Sequence, residues 1–331
     1  MDAPSSGRHS PYNKVIMLDA IYINTVRLLL DVIPDVFVDG QFAIKGGTAI
    51  NLFVQEAPRL SVDIDLVYLN GTEPRDVALA TIAKALQDIA SRLEARGLKA
   101  RPVRVGNEPE SKLLVMEGRD GLTLKIEVNT VFRGTVLPVT ARQSVSAAVV
   151  KQFGIQVFAP IFDHDELYAS KLVAALDRQH PRDLFDVWLL YQNGGLTPAM
   201  VDCFVVYLAG HNRPTHEVLG GNDLDLRQIY EDQFIGMTEA EPPSLEVLLE
   251  TRSRLRRDMM EKLTSHHREF LVGLADANPD WTLLPNPDVQ TLPALRWKLE
   301  NLTRFKKSQA KKSATQVAAL KALLSAEKDS G

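Results

Sequence analysis

Residues 45–66, KGGTAINLFVQEAPRLSVDIDL, place two glycines before an apolar segment and two aspartates one residue apart. The segment RLSVDIDLVYLN (59–70) alternates and is rich in β-branched residues, which predicts a strand. Alternate side chains of a strand share a face, so Asp63 and Asp65 point to one side while the apolar residues between them face the core. An Asp-x-Asp pair alone is more often a solvated strand edge than a binding site.

The two glycines shift the prediction toward a binding site. Gly46 and Gly47 would let backbone amides approach a ligand closely, and a helix starting near Thr48 would offer its N-terminus to a phosphate. Thr48 can cap this helix or bind a phosphate oxygen. Carboxylates ~7 Å apart on one strand face repel each other unless a cation lies between them, and Mg²⁺ is the hard cation that takes one or two carboxylates. We therefore hypothesise that this stretch holds a triphosphate against a divalent cation, Mg²⁺ or alternatively Mn²⁺.

A third carboxylate occurs in the predicted strand LTLKIEVNTVF (122–132). Glu127 alternates with apolar neighbours and therefore faces away from the core, on the same side as Lys125. If this strand lies beside the Asp-x-Asp strand, Glu127 completes a cluster of three acids. Such a cluster can hold two metal ions, or hold one and leave a carboxylate to accept a proton. The alternative is a cross-strand Lys–Glu pair.

Two charged residues of the later helical segments are unusual. Lys171 lies within the apolar stretch of DHDELYASKLVAALDR (163–178), where it either reaches solvent along the helix surface or points at a triphosphate. Asp183 follows a first-turn proline and is explained by the helix dipole. Asp186, one turn later and beside apolar residues, has no such explanation.

The order of predicted elements indicates an α+β protein, with a small mixed β-sheet and helices followed by a mainly helical C-terminal half. Helices are predicted at 13–33, 73–96 (capped by Thr72), 163–178, 181–193, 197–210, 244–274 and 314–329, and further strands at 99–105 and 112–118, with a hairpin at 118–121. We predict a flexible tail over 1–12, a core domain over 13–158 and a helical domain over 159–331 that carries Lys171 and Asp186.

Composition narrows the class of protein. The 331 residues are 45% hydrophobic and 24% charged, as in ordinary globular proteins. The chain has no apolar run of eighteen residues, so no membrane contact is expected, and its single cysteine, Cys203, favours a reducing cytoplasmic location. Net charge is −4, yet residues 251–331 hold 15 Lys and Arg against nine Asp and Glu. This basic region is compatible with a polyanionic partner.

Five segments occur in a characteristic order: KGGT (45–48), RLSVDIDL (59–66), KIEV (125–128), DELYASK (165–171) and RDLFD (182–186). In this combination the chain resembles the AbiEii/AbiGii toxin family, MenT-like toxins of type IV toxin–antitoxin systems within the DNA polymerase β-like nucleotidyltransferase superfamily. The resemblance implies a nucleotidyltransferase core and Mg²⁺-dependent transfer of a nucleoside monophosphate from an NTP.

The resemblance also assigns roles to residues. Asp63 and Asp65 would hold the metal, with Glu127 as a third ligand or the base. Lys171 would steady the triphosphate, and Asp186 matches an essential position whose role is not assigned. The nucleotide site would be lined by Lys45, Gly46, Gly47, Thr48, Ser61, Lys171 and Arg182.

The implied partners are an NTP, an RNA and a cognate AbiEi-like antitoxin encoded nearby, and the implied acceptor is the 3′ end of tRNA. The basic helix RSRLRRDMMEKL (252–263), through Arg252, Arg256 and Arg257, and a second cluster at 296–312 are compatible with RNA contact, whereas the alternative is solvated helices with i,i+4 ion pairs. Two other functions remain open: transfer to a protein or small-molecule hydroxyl, and a non-catalytic NTP-binding regulator. The His and Asp residues near 163 and 266 are not expected to bind zinc.

Overall fold

The computed structural model describes residues 20–106, 108–117, 121–238 and 241–325. Within them, seven strands form one mixed sheet in the order β3-β4-β5-β2-β1-β7-β6. The strands are β1 (Phe42–Lys45), β2 (Asp63–Tyr68), β3 (Lys99–Arg104), β4 (Glu110–Glu117), β5 (Leu122–Asn129), β6 (Thr140–Ser144) and β7 (Phe158–Ile161).

Two strand pairings bring distant parts of the chain together at the centre of the sheet. β2 pairs antiparallel with β1 and parallel with β5, so the Asp-x-Asp strand lies directly beside the strand that carries Glu127. β4 and β5 pair antiparallel, as the predicted hairpin requires, although Gly118–Asp120 lie outside the described residues.

Helices cover the sheet and form the C-terminal half, which confirms the predicted α+β class. They are α1 (Ala20–Val36), α2 (Gly46–Thr48) with the π-helix Ala49–Val54, α3 (Arg75–Ala95), α4 (Ala147–Phe153), α5 (His164–Asp177), α6 (Pro181–Gln192), α7 (Pro198–Ala209), α8 (Thr215–Leu219), α9 (Arg227–Gln233), α10 (Leu245–Lys262), α11 (Ser265–Ala275), α12 (Pro293–Ser308) and α13 (Ala310–Ser325). Short 3₁₀ helices occupy Trp281–Leu283 and Pro287–Thr291.

Local chemistry explains where the helices depart from the sequence prediction. The predicted cap Thr72 is wrong: its hydroxyl bonds to the Asn70 side chain, and α3 begins later, after Pro74. The single helix predicted over 244–274 is two helices, because Thr264 caps a new helix by accepting from the backbone N–H of His267. Residues 13–19 and 326–329 of two predicted helices lie outside the described residues.

One continuous hydrophobic core joins the sheet to the helices that follow it. Ile44, Ile64 and Ile126 of the central strands are fully buried in the same cluster as Leu172 of α5 and Phe204 of α7. Strand β7 extends across the predicted domain boundary at residue 158, so the division into two domains stays a prediction. Because α5 packs against the segment that follows β1, charged residues of α5 and α6 lie close to the Asp-x-Asp strand.

Among the described residues, no helix is long and apolar enough to cross a membrane.

Candidate nucleotidyltransferase site

The two aspartates of β2 lie on one half-exposed face of the sheet, as the strand alternation predicted. Ile64 between them is completely buried, whereas Asp63 and Asp65 are partly exposed. In the parallel pairing with β5, Asp63 lies opposite Lys125 and Asp65 lies opposite Glu127. The sheet register therefore brings three acids and one lysine onto one surface.

The pKa of Asp63 reflects its burial beside a second acid. Burial raises the pKa of Asp63 above its ordinary value, and the neighbouring carboxylate of Asp65 adds to the rise. Lys125 opposes the shift but does not cancel it. Two adjacent carboxylates supply the hard oxygen donors that Mg²⁺ prefers as ligands.

Glu127 reaches the predicted position but is held by lysines. Its carboxylate forms ion pairs with Lys112 Nζ at 3.0 Å and Lys125 Nζ at 3.1 Å. Burial opposes ionisation of Glu127, yet these two lysines outweigh it and lower its pKa. Across the described ranges, no three His, Cys, Asp or Glu side chains are grouped closely enough to hold a metal ion, so Glu127 as a third metal ligand stays a prediction. The cross-strand Lys–Glu pair, which was the alternative, is present.

The glycines are explained by what packs against them. Gly46 has φ +72°, and a Cβ at this position would lie 2.6 Å from Asp65 Oδ2. A Cβ on Gly47 would lie 2.8 Å from Arg59 Nη2 and 3.2 Å from Ser61 Oγ. The two glycines thus allow an acid and a guanidinium to approach the backbone closely.

Thr48 lies beneath this surface and its side chain makes no helix-cap hydrogen bond, so the prediction that it caps a helix is wrong, whereas contact with phosphate stays a prediction. Its side chain is 1% exposed. The Thr48 hydroxyl lies 2.9 Å from the Ser61 hydroxyl and donates to the backbone carbonyl of Asp63. Thr48 therefore fixes the start of β2 against the glycine turn.

Replacing Gly46 with alanine is expected to displace Asp65 and to reduce nucleotide transfer by at least ~10-fold, because small misplacements of reacting groups are costly. Left-handed backbone strain should also lower the free energy of unfolding by about 1–3 kcal/mol. Gly154→Ala is the matched control, since Gly154 has φ +69° and a Cβ added there would meet nothing within 4 Å. If both variants lose the same stability but only Gly46→Ala loses activity, the loss of activity comes from displacement of Asp65 and not from backbone strain. Equal activity in the two variants would contradict the displacement of Asp65.

A buried charge cluster joins the Asp-x-Asp region to α5 and α6. Arg59 donates from Nε to Asp186 Oδ1 at 2.8 Å and from Nη2 to Asp186 Oδ2 at 2.6 Å. Lys171 Nζ lies 2.6 Å from Asp183 Oδ1 and 3.0 Å from Asp186 Oδ2. All four side chains are at most 5% exposed. Their charges are therefore matched inside the protein.

This cluster shows what two predicted site residues contact. Asp186 is completely buried between Arg59 and Lys171, and its place among the catalytic residues stays a prediction. Lys171 lines the cleft and forms ion pairs with Asp183 and Asp186, and its contact with a triphosphate stays a prediction. Asp183, predicted to serve the helix dipole, holds Lys171 and also accepts from Arg178 Nε at 2.5 Å.

Three residues of the cluster carried no prediction. Arg59 lies within the RLSVDIDL motif, two residues before Ser61 and just before β2 begins. Asn51 donates to Asp186 Oδ1 at 3.1 Å, and Arg178 pairs with Asp183. No local pattern distinguishes Asn51 or Arg178, since their partners are brought in by tertiary packing.

A cleft of about 800 Å³ opens over the Asp-x-Asp face. Its lining includes Asp63, Asp65 and Glu127 together with Lys45 and Arg182, and it also includes the two glycines and Ser61. Neither Lys45 nor Arg182 has an ion pair or side-chain hydrogen bond within the described part of the chain. Burial lowers the pKa of Lys45, although Asp65 opposes this, and burial likewise lowers the pKa of Arg182. The cleft thus combines two acids, Asp63 and Asp65, with two cations, Lys45 and Arg182, that form no ion pairs among the described residues.

The two basic segments differ in what they leave exposed. Arg252 is 5% exposed, bonds to Gln179 and pairs with Asp223, which also pairs with Arg256. Arg252 is thereby buried and Arg256, which is 21% exposed, is paired with the same carboxylate, in contrast to the predicted basic face of α10. Arg257 is 61% exposed and pairs with Asp258 and Glu261. The exposed basic residues without an acidic partner in the described ranges include Lys307, Lys311 and Lys312, at the junction of α12 and α13.

A mixed sheet with an Asp-x-Asp strand at its centre, beneath a cleft that includes cationic residues, is the arrangement expected of a nucleotidyltransferase. The profile of the nucleotidyl transferase AbiEii toxin family, of type IV toxin–antitoxin systems, matches residues 27–301. The chain belongs to this family, and it is accordingly a nucleotidyltransferase toxin of a type IV system.

The structure of MenT4 supports the same fold. The chain is similar to MenT4, a nucleotidyltransferase toxin from Mycobacterium tuberculosis H37Rv, with a TM-score of 0.54 and 17% identity over 91% of this chain and 95% of MenT4. Terminal uridylyl transferase 4 from Trypanosoma brucei with bound UTP aligns at 12% identity and a TM-score of 0.28 over 92% of this chain and 93% of its own, which is too distant to support further inference. A comparison with curated proteins gives no match.

Proposed function

We propose that this toxin transfers a nucleoside monophosphate from an NTP to an RNA acceptor, the 3′ end of a tRNA, with release of pyrophosphate. The observation that carries the proposal is the presence of opposite charges in one cleft. Within the described ranges, the acids Asp63 and Asp65 and the cations Lys45 and Arg182 line the same cleft without forming ion pairs. A triphosphate with its divalent cation supplies opposite charge to both sets at once.

Asp63 and Asp65 would hold the metal ion, Mg²⁺ or Mn²⁺. When bound, such an ion neutralises charge on the triphosphate oxygens. Thr48 and Gly46 fix these two aspartates, the first through the start of β2 and the second by admitting Asp65. Glu127 stays available as a third ligand only if its carboxylate leaves Lys112 and Lys125.

The protein's own cations orient the donor nucleotide. Lys45 and Arg182 would contact phosphate oxygens, whereas Lys171 acts indirectly by fixing Asp183 and Asp186. An oxygen of the acceptor hydroxyl attacks the α-phosphorus as the bond to the β-phosphate oxygen breaks, and pyrophosphate leaves. The hydroxyl proton leaves to buffer in the solvent, because Lys112 and Lys125 already occupy the carboxylate of Glu127 and keep it from the attacking hydroxyl. Positioning and charge neutralisation therefore supply most of the catalysis.

RNA as the acceptor is supported by the exposed lysines at the α12–α13 junction. Lys307, Lys311 and Lys312 have no acidic partner in the described ranges, so they are free to contact phosphates of a polyanion. An antitoxin of the AbiEi type, encoded nearby, is the proposed protein partner, in keeping with a type IV system.

Incubation of the purified protein with Mg²⁺, total tRNA and each α-³²P-labelled NTP in turn tests the reaction, with Asp63→Ala in parallel. We expect label on tRNA with one NTP and none with Asp63→Ala. Label on protein alone would replace RNA by a protein hydroxyl as the acceptor. Absence of label from every acceptor would favour the non-catalytic regulator.

A further inference from the structure

One wall of the cleft is built by α7, α12 and the turn that follows α7. Phe132 and Tyr207 stack with ring centroids 4.1 Å apart and planes 8° from parallel. Gly210 lies so close to α12 and to this stack that a Cβ would meet Ala294 Cβ at 3.2 Å and the Phe132 ring at 3.3 Å. This packing leaves α12 little freedom to move relative to the cleft.

Lys298 fixes α12 to the same wall. Its side chain is 7% exposed, and its Nζ donates to the backbone carbonyls of His211, Asn212 and Arg213 at 2.6, 3.3 and 3.0 Å. Three acceptors satisfy the three N–H bonds of one ammonium group. Lys298 thereby sets the position of the residue beside it, Trp297, relative to the 211–213 turn.

Trp297 is left facing the cleft by this arrangement. Its side chain is 43% exposed and lines the cleft, whereas Ala294 and Leu295 of the same helix are completely buried. The exposed Asn212 also lines the cleft, and its carboxamide makes no hydrogen bond within the ranges that the structure describes. An indole face and a free carboxamide in the lining of one cleft are the groups that stack on a nucleobase and bond to its edge.

We infer that Trp297 and Asn212 form a nucleobase subsite in the cleft that contains Asp63 and Asp65. The inference rests on the proposed function, since it names the part of the substrate that this wall binds. The base stacks on the indole of Trp297, and the Asn212 carboxamide, which can donate and accept, bonds to its edge. The base belongs either to the donor NTP or to the terminal nucleotide of the acceptor RNA, and binding measurements distinguish the two sources.

The test compares ligands with and without a base on the full-length protein by isothermal titration calorimetry. The donor probes are the four NTPs and inorganic tripolyphosphate. The acceptor probes are one short RNA with an intact 3′ nucleotide and the same RNA with an abasic 3′ residue. In either the donor or the acceptor pair, Trp297→Ala is expected to weaken binding of the probe that has a base by roughly 5- to 150-fold. Binding of the matching probe without that base should not change. Trp297→Phe should retain most of the affinity, because a phenyl ring still stacks.

Phe158→Ala is the matched control, since Phe158 is also an exposed aromatic side chain, 40% exposed, and lies outside the cleft lining. It should bind every probe as the unchanged protein does. A loss confined to NTPs assigns the base to the donor, and a loss confined to the intact RNA assigns it to the acceptor. Asn212→Ala should reduce the differences in affinity between bases without a comparable loss for all of them.

If Trp297→Ala binds both NTPs and RNA as tightly as the unchanged protein does, the proposed subsite is wrong. This conclusion holds even if the unchanged protein is an active transferase. Equal weakening of tripolyphosphate and NTPs would overturn it too, because the effect would then not depend on the base. A protein that binds a base through Trp297 but transfers no nucleotide would retain the subsite and refute the proposed reaction. The two failures are therefore separable.

Discussion

Asp63→Asn is expected to reduce nucleotide transfer by roughly 10²- to 10³-fold or more, the scale on which removal of one charge-stabilising group acts in other enzymes. The substitution keeps the size of the side chain but removes the negative charge that would hold the metal and the triphosphate. Asp63 lies on the half-exposed face of β2, on the same side as Asp65, and its side chain does not point into the apolar core. The fold should therefore survive the substitution. Initial rates of labelled nucleotide incorporation, together with circular dichroism, measure both effects.

The control is Asp88→Asn on α3, where the exposed carboxylate pairs with Lys84 one helical turn away. A surface pair of this kind contributes little to stability, so transfer by this variant should equal that of the unchanged protein. Because the chain is a toxin, growth of cells that express it should stop, and Asp63→Asn should restore growth. Toxicity that persists in a folded Asp63→Asn protein would mean that harm to the cell does not come from nucleotide transfer.

Features set by local periodicity were predictable from the sequence. A strand repeats every two residues, so the shared face of Asp63 and Asp65 followed from the alternation of polar and apolar residues alone. The same reasoning oriented Glu127 and Lys125. The adjacency of their two strands depends on the parallel pairing of β2 with β5, which joins residues about sixty positions apart. Only the ordered set of motifs indicated that pairing.

The partners of the charged residues could not be predicted, because they come from elsewhere in the fold. Asp186 and Arg59 are 127 positions apart, and nothing in either local segment indicates that the two bond to each other. Lys112, on β4, pairs with Glu127 across the sheet, a contact that the segment around Glu127 does not indicate. Asp223 likewise engages Arg252 and Arg256, which the sequence alone shows as a basic helical face. Charge counts along a chain do not reveal which charges meet.

Asp186→Ala is expected to lower the free energy of unfolding by about 3–5 kcal/mol, the usual cost of removing one member of a buried ion pair. The loss is large because Arg59 would keep its charge with no carboxylate beside it, and Lys171 would keep only Asp183. Urea unfolding followed by circular dichroism measures this change. Arg59→Met combined with Asp186→Leu removes both charges, so the double variant should be less destabilised than Asp186→Ala.

Acid provides an independent readout of the same cluster. Burial alone would raise the pKa values of Asp183 and Asp186, but Arg59, Lys171 and Arg178 outweigh it and hold both pKa values below the ordinary range. A carboxylate with a lowered pKa in the folded state contributes stability above its unfolded pKa and loses it as pH falls through the folded one. Stability should therefore decrease below pH ~4 in the unchanged protein, and the decrease should be shallower in Asp186→Ala. An identical acid dependence in both proteins, or a loss under ~1 kcal/mol at neutral pH, would show that Asp186 is not the acid on which this cluster depends.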